Sequence, residues 1–320
     1  MKKLSIGIPT YNRKKQLSNQ LERLLKQDLT QVEKIFIIDN DSNYNVQSLI
    51  SHFNSNKLKL IANPFNMGAS TNGLNPFLYS KSEWLWILSD DDEVLHNSIE
   101  IIIDEINKSG PNLGMIKFSI QKDILPESKV VNSLNDYIDY YHNEKNIRYG
   151  ELIFISTCVL NTKNLNNYLD SAFVFSYTHV GFLVPVIFGL DEKKISVSFT
   201  SETIVKYLPP DDNGWNLGRV GLGLSTFSHL NLSLNKIYFK KFIKIMTPIS
   251  YIEMFKFLIQ ENRINNQRKY ELVYNNSYKY YLNFFQKIIY GIFKIILSYP
   301  RSGKYLFEKI KLYYKRIKHT

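Results

Sequence analysis

Cysteine is nearly absent: the 320 residues contain one, Cys158. A single thiol excludes an internal disulfide framework and fits a reducing compartment. No motif surrounds it, so Cys158 reads as a core residue and not as a nucleophile. No set of Cys and His has zinc spacing, and a zinc site is not expected. There is no G-x-G-x-x-G after the first apolar run and no Walker P-loop, which disfavours dinucleotide and P-loop chemistry. Long apolar runs are missing as well. The opening "MKKLSIGIPTYNRKK" has only about five apolar residues before Pro9 cuts the run. A secretory leader needs roughly 7–15, so this segment reads as a first strand in a cytoplasmic protein.

What is present is divided unevenly. The net charge is +11, yet residues 236–320 hold 18 Lys and Arg against 4 Asp and Glu, a balance of +14 that leaves −3 for residues 1–235. The length and composition suit one large globular domain with an appendage. We therefore expect a domain over 1–235 and a basic helical region over 236–320.

The first half alternates extended and helical patterns. Strands are predicted at 4–9, 34–39, 58–63, 84–89 and 114–120, and helices at 13–27, 45–54, 68–81 and 98–106. Apolar strands separated by helices of this length predict an α/β fold with a mostly parallel sheet flanked by helices. Further on, 151–160 reads as a strand, 178–190 as a buried helix and 194–207 as a strand again. Residues 209–223, which include Trp215 and Arg219, read as a turn-rich mobile loop over a site. In 283–300 a run of about 17 residues is interrupted by Lys287 and Lys294. That is marginal for spanning a bilayer and well suited to lying in its interface, with Tyr, Lys and Arg on its flanks. Its aromatics alternate with Ile, Leu and Phe, which favours lipid or core over nucleic acid.

One stretch carries chemistry. "WLWILSDDDEVL", 84–95, ends a nearly all-apolar strand on Asp90, Asp91 and Asp92. Carboxylates 5–6 Å apart at an effective dielectric near 20 repel by about 3 kcal/mol per pair. Either they splay into water or something positive sits among them. Other strands end at Pro9-Thr10-Tyr11 and at Asp39, and ligands bind at the carboxyl ends of such strands. Hard oxygen donors grouped this way suit Mg²⁺ or Mn²⁺.

With these residues in view, "SIGIPTYNRKKQL", "FIIDNDS", "NPFNMGAS" and "WILSDDDEVL" resemble, in order and spacing, the family 2 glycosyltransferases of the GT-A type, a Rossmann-like fold. The resemblance is close over 3–107 and weaker to about 235. "SDDD" and "YTHVGF" (177–182) are most similar to bacterial O-antigen and capsule enzymes of the abequosyltransferase-like type. The resemblance implies an inverting transfer of a sugar from a nucleotide donor to a hydroxyl of a lipid-linked oligosaccharide at the inner membrane face. It places Pro9, Thr10, Tyr11 and Arg13 at the nucleotide, with the Tyr11 ring against the base and Asp39 accepting from the base edge. Asn66, Met67 and Gly68 fall beside the ribose and diphosphate. The family's first metal-motif Asp is Ser89 here. Asp91 is then the metal ligand, Asp92 assists, and Asp90 contacts the ribose or a metal-bound water. The family's usual acidic base has no counterpart in "SYTHVGFLVPVIF". His179 is a candidate base, and equally a metal or phosphate ligand or a capping residue, with Asp170 and Asp191 as competing bases.

Two rival readings are a sugar-1-phosphate nucleotidyltransferase, which "PTYNRKK" opposes by lacking glycines, and a non-catalytic peripheral membrane protein on the same scaffold, which the Asp cluster opposes.

Overall fold

A computed structural model of the chain describes residues 3–120, 128–143, 152–208, 217–247, 249–261, 263, 265–299 and 304–305. It divides into two compact units, Met1–Asp212 and Asn213–Thr320.

The first unit is built on a sheet of strands β1 (Leu4–Thr10), β2 (Val32–Asp39), β3 (Leu58–Ala62), β4 (Trp84–Ile87), β6 (Leu113–Phe118), β7 (Lys129–Val131), β8 (Cys158–Asn161) and β9 (Ser196–Thr200). Their order is β3-β2-β1-β4-β8-β6-β9-β7. Two short strands, β5 (Glu93–Val94) and β10 (Val205–Lys206), pair separately and antiparallel. β1 pairs parallel with both β2 and β4, and β2 with β3. β8 is inserted antiparallel between β4 and β6, and β9 returns parallel to β6. All the strands but β7 and β8 therefore start at one edge and end at the other in this sheet. β4 is buried at every position and is an unbroken apolar run, whereas β1, buried at all but Pro9, alternates Leu4, Ile6 and Ile8 with the small Ser5 and Gly7.

Helices cover the sheet through apolar stripes. In Lys14–Leu25 the buried residues are Leu17, Gln20, Leu21 and Leu24, and in Ser98–Lys108 Ile99, Ile102 and Ile106 pack inward. Both sets repeat at helical spacing against one core that contains Leu4, Ile6, Trp84 and Trp86.

Several expected elements differ. The helix expected over 68–81 is two short ones, Ala69–Asn72 and Pro76–Tyr79; Pro76 lacks the N–H an unbroken helix needs and instead opens the second. The strand expected over 151–160 is confined to β8, preceded by a 3₁₀ turn, Ile155–Thr157. The helix expected from 178 begins at Val184, after a 3₁₀ turn over Gly181–Leu183. The strand expected over 194–207 is split between β9 and β10. Of the loop expected over 209–223, residues 209–216 with Trp215 lie outside the described residues, and Leu217–Ser225, which contains Arg219, is helical.

The second unit is helical, with Lys236–Met246, Tyr251–Glu261, Asn266–Asn276 and Phe284–Ser298 following Leu217–Ser225. Asn235 accepts bonds from the Ile237 and Tyr238 amides, and Asn283 forms a capping box with Gln286. Its core includes Met254, Leu258, Tyr270 and Val273. Among the described residues no helix is long and apolar enough to cross a membrane.

Candidate active site

The carboxyl ends of β1, β2 and β4 form one rim. Thr10 and Asp39 are register partners on β1 and β2. Beyond β4 the chain turns at Asp90 and Asp91, and just before the turn the Ser89 carbonyl accepts from Gln20 Nε2 at 2.9 Å. The three carboxylates follow, and none splays freely into water: Asp90 and Asp92 are 5% and 4% exposed, and the Asp91 side chain 19%.

Each is held by side chains of this chain. Thr10 Oγ1 donates to Asp90 Oδ2 at 2.6 Å. Arg13 Nη1 donates to Asp90 Oδ1 at 3.2 Å and also to Asp91 Oδ2. Ser89 Oγ donates to Asp91 Oδ1. Ser156 Oγ donates to Asp92 Oδ2 at 2.6 Å and accepts from the Ser89 amide at 3.0 Å. Burial pushes the Asp90 carboxyl up to about 6, against the opposing bond from Thr10 and the charge of Arg13. Burial likewise pushes Asp92 up to about 7, with the Ser156 bond opposing it and Asp91 adding to it.

Ser156 was not among the expected site residues. It sits in the 3₁₀ turn before β8, with its carbonyl accepting from Trp86 Nε1 at 2.8 Å. Behind it lies Lys117, 1% exposed, whose Nζ donates to Thr157 Oγ1 and to the Phe154 carbonyl at 3.4 Å. A lysine inside an apolar strand run was the only sequence sign of this support. Cys158 is a buried thiol in β8.

A second network holds the loop after β3. Asn40 Nδ2 donates to Asn66 Oδ1 at 2.7 Å, and Asn66 Oδ1 accepts from the Gly68 amide at 2.9 Å. Asn40 Oδ1 accepts from Asn63 Nδ2 at 3.1 Å and from the Met67 amide at 2.9 Å. Asn63 also bonds Asn72 and Asn75, at 2.8 and 3.2 Å. The buried amides of Asn40, Asn72 and Asn75 and the half-buried Asn63 satisfy one another and tie down the loop through the exposed Asn66. Gly68 has φ 82, which a side chain would disfavour. Of this set the sequence marked Asn66, Met67 and Gly68 and missed the other asparagines. Asp39 Oδ1 accepts from the Ser42 amide at 3.0 Å. Pro9 is half-buried and Tyr11 is 43% exposed on the rim.

The structure brings His179 to this loop and carries Asp191 to the opposite edge of the sheet. His179 Nδ1 lies 2.6 Å from Ser70 Oγ, two residues beyond Gly68. Two residues on, Gly181 packs where no side chain fits: a Cβ there would stand 2.6 Å from the Ala172 carbonyl and 3.1 Å from Leu74. His179 is exposed and left-handed, with φ 66, a conformation that disfavours histidine and is over-represented at functional positions. Asp191 ends the helix Val184–Asp191 just before β9 begins, at the edge where Ser196 N donates to the Asn112 carbonyl at 3.0 Å. That is the edge opposite the rim. Asp170 is exposed at the start of Leu169–Val174, its Oδ1 accepting from the Ser171 amide at 2.8 Å.

Among the described residues no three acidic, His or Cys side chains converge to hold an ion unaided. Mg²⁺ and Mn²⁺ do not require that; they take one or two carboxylates and complete their shell with water and substrate phosphates. Asp91 and Asp92 are the residues that would hold such an ion, and the Arg13 guanidinium bridges Asp90 and Asp91.

The sequence matches the model of "Glycosyl transferase family 2" over residues 5–169. The chain belongs to that family. Its fold is similar to that of Staphylococcus aureus TarS residues 1–349 in complex with UDP-GlcNAc, with a TM-score of 0.61 at 14% identity over 94% of this chain and 88% of that one. Curated relatives match locally. A GalNAc(5)-diNAcBac-PP-undecaprenol beta-1,3-glucosyltransferase of Campylobacter jejuni is 26% identical over 111 residues, 34% of this chain and 36% of that protein. A UDP-Glc:alpha-D-GlcNAc-diphosphoundecaprenol beta-1,3-glucosyltransferase of Escherichia coli is 26% identical over 106 residues, 33% of this chain and 42% of that protein. The matched stretch spans about two fifths of these relatives or less.

Proposed function

We propose that this family 2 glycosyltransferase is a metal-dependent, inverting enzyme that moves a sugar from a nucleoside-diphosphate donor to a hydroxyl of a lipid-linked oligosaccharide in bacterial surface polysaccharide synthesis. The observation that carries the reading is the run Asp90 to Asp92, buried at the strand ends beside Thr10, Asp39 and the asparagine-held loop.

In this reading the loop over Asn66–Gly68 lies against ribose and diphosphate, Asp39 accepts from the base, and the exposed Tyr11 ring covers it. The acceptor oxygen attacks the anomeric carbon as the bond from that carbon to the diphosphate oxygen breaks. The nucleoside diphosphate leaves, and the hydroxyl proton passes to His179. This needs the tautomer in which His179 Nδ1 donates to Ser70 Oγ and Nε2 carries the lone pair. When bound, a divalent ion at Asp91 and Asp92 neutralises charge on the leaving diphosphate. The lipid-linked acceptor follows the two glucosyltransferases named above, whose names specify undecaprenol-linked diphosphates. The test is transfer from a panel of nucleoside-diphosphate sugars to an undecaprenyl-diphosphate oligosaccharide with Mn²⁺, with the anomeric configuration of the product read by NMR. Metal-dependent transfer with inversion supports the reading; transfer that Asp91→Asn leaves intact overturns it.

We also infer that the second unit attaches to the inner face of the plasma membrane. Along Phe284–Ser298, Phe284, Ile288, Ile292 and Ile295 are 72%, 47%, 52% and 64% exposed, and Tyr299 beyond it is 67% exposed. These residues share one helical face in a region with a balance of +14, which suits the surface of an anionic bilayer. The full chain should sediment with anionic vesicles and not with zwitterionic ones. The triple variant Ile288→Ser, Ile292→Ser, Ile295→Ser should stay in the supernatant, and its sedimentation would refute the attachment.

A further inference from the structure

Arg13 grips Asp91, the carboxylate that would hold a metal ion, together with its neighbour Asp90. One nitrogen, Nη1, serves both Asp90 Oδ1 and Asp91 Oδ2. The other oxygens of these two carboxylates accept from the hydroxyls of Thr10 and Ser89. A hydroxyl on a carboxylate oxygen leaves a lone pair for an ion and adds no charge. A guanidinium there adds a full positive charge against an incoming cation.

Arg13 is also placed to leave. It flanks the start of Lys14–Leu25 without being inside it, at φ −120 and ψ 55, and its side chain is 20% exposed on the open rim. A guanidinium fork matches phosphate oxygens as well as it matches carboxylates.

We propose that Arg13 is a resident counter-ion: it holds Asp90 and Asp91 in the ion-free protein and transfers to the donor's diphosphate when metal and donor enter. This rests on the donor-site reading above and extends it to the order of events. Metal alone must displace Arg13 and break its ion pairs with Asp90 and Asp91. Metal with a nucleoside diphosphate gives Arg13 a new anion. Arg13 thereby couples the two ligands, so each tightens the other by the same factor.

The expected signs differ from those for an ordinary binding residue. Arg13→Gln should bind Mn²⁺ more tightly than the wild type without nucleotide, by at least ten-fold, while binding nucleoside diphosphate more weakly. The test is Mn²⁺ titration of the full chain by electron paramagnetic resonance, alone and with UDP, CDP, GDP or dTDP, for the wild type, Arg13→Gln and Asp91→Asn. The wild type should gain at least ten-fold in Mn²⁺ affinity with the cognate nucleotide, and Arg13→Gln should gain far less. If Asp91→Asn abolishes Mn²⁺ binding while Arg13→Gln leaves it unchanged or weaker, the donor site stands and the role of Arg13 is overturned. If neither wild type nor Arg13→Gln binds Mn²⁺ under any condition, the donor-site reading falls and takes the coupling with it. Should Arg13→Gln not fold, the wild type decides alone: equal Mn²⁺ affinity with and without the cognate nucleotide contradicts the proposal.

Discussion

Thr10 Oγ1 donates to Asp90 Oδ2 at 2.6 Å, joining the last residue of β1 to the first carboxylate after β4. The two residues are eighty positions apart and both buried. The bond holds the rim in register at the point where the chain bends toward the carboxylates.

Thr10→Val keeps the shape of the side chain and removes the donor. A buried carboxylate oxygen that loses its partner costs about 1–3 kcal/mol. Urea denaturation with chelator present should show a loss in that range, with Thr10→Ser close to wild type. An unchanged midpoint for Thr10→Val would mean that Asp90 is held without Thr10.

The raised carboxyls give a pH dependence of known sign. Asp90 at about 6 and Asp92 at about 7 exceed the roughly 3.9 of an unfolded aspartate. Between about pH 4 and pH 7 the folded state therefore binds more protons than the unfolded one, and this contribution to stability falls as pH rises. Asp92→Asn should raise Tm at pH 8 in chelator by a few degrees, with the gain vanishing below about pH 4. A pH-independent difference would sever it from the ionisation of Asp92.

Ser156→Ala strips Asp92 Oδ2 and the Ser89 amide of one shared partner. Two buried groups are then left unsatisfied, and a loss of about 1–3 kcal/mol is expected, together with weaker Mn²⁺ binding. Calorimetry on the variant reads both effects. Wild-type metal affinity would show that Asp92 needs no positioning from the β8 side.

His179 separates strain from chemistry. Glycine tolerates φ 66 without the penalty a histidine carries, so His179→Gly should match or exceed wild-type stability by up to about 1 kcal/mol. Its transfer rate should drop about a hundred-fold or more, the scale of lost general-base catalysis. A fully active His179→Gly protein would return the residue to a capping role and leave the base unassigned.

Much of the first unit was legible in the sequence, because parallel strands buried on both faces leave uninterrupted apolar runs. "KIFIID" and "WLWILS" needed no partner to be read as strands, and the acids at their ends marked the rim. The rest depended on pairing that no local pattern records. β8 enters antiparallel between β4 and β6, which brings Ser156 to Asp92 across 64 positions of chain. Asp191 read as a competing base, yet a helix carries it to the other edge of the sheet. The asparagine network eluded the sequence because each Asn alone reads as a turn residue; only their mutual bonds make a site. Arg13 was legible as a binding residue, but its grip on Asp90 and Asp91 was not.

The central claim is that the rim from Thr10 to Asp92 binds a nucleoside diphosphate with a divalent ion. The most direct measurement is calorimetric binding of UDP, CDP, GDP and dTDP, with and without Mn²⁺, to wild type and Asp91→Asn. One nucleotide should bind tightly only with Mn²⁺, and Asp91→Asn should abolish this binding. Absence of metal-dependent binding for all four, or undiminished binding by Asp91→Asn, would contradict the claim.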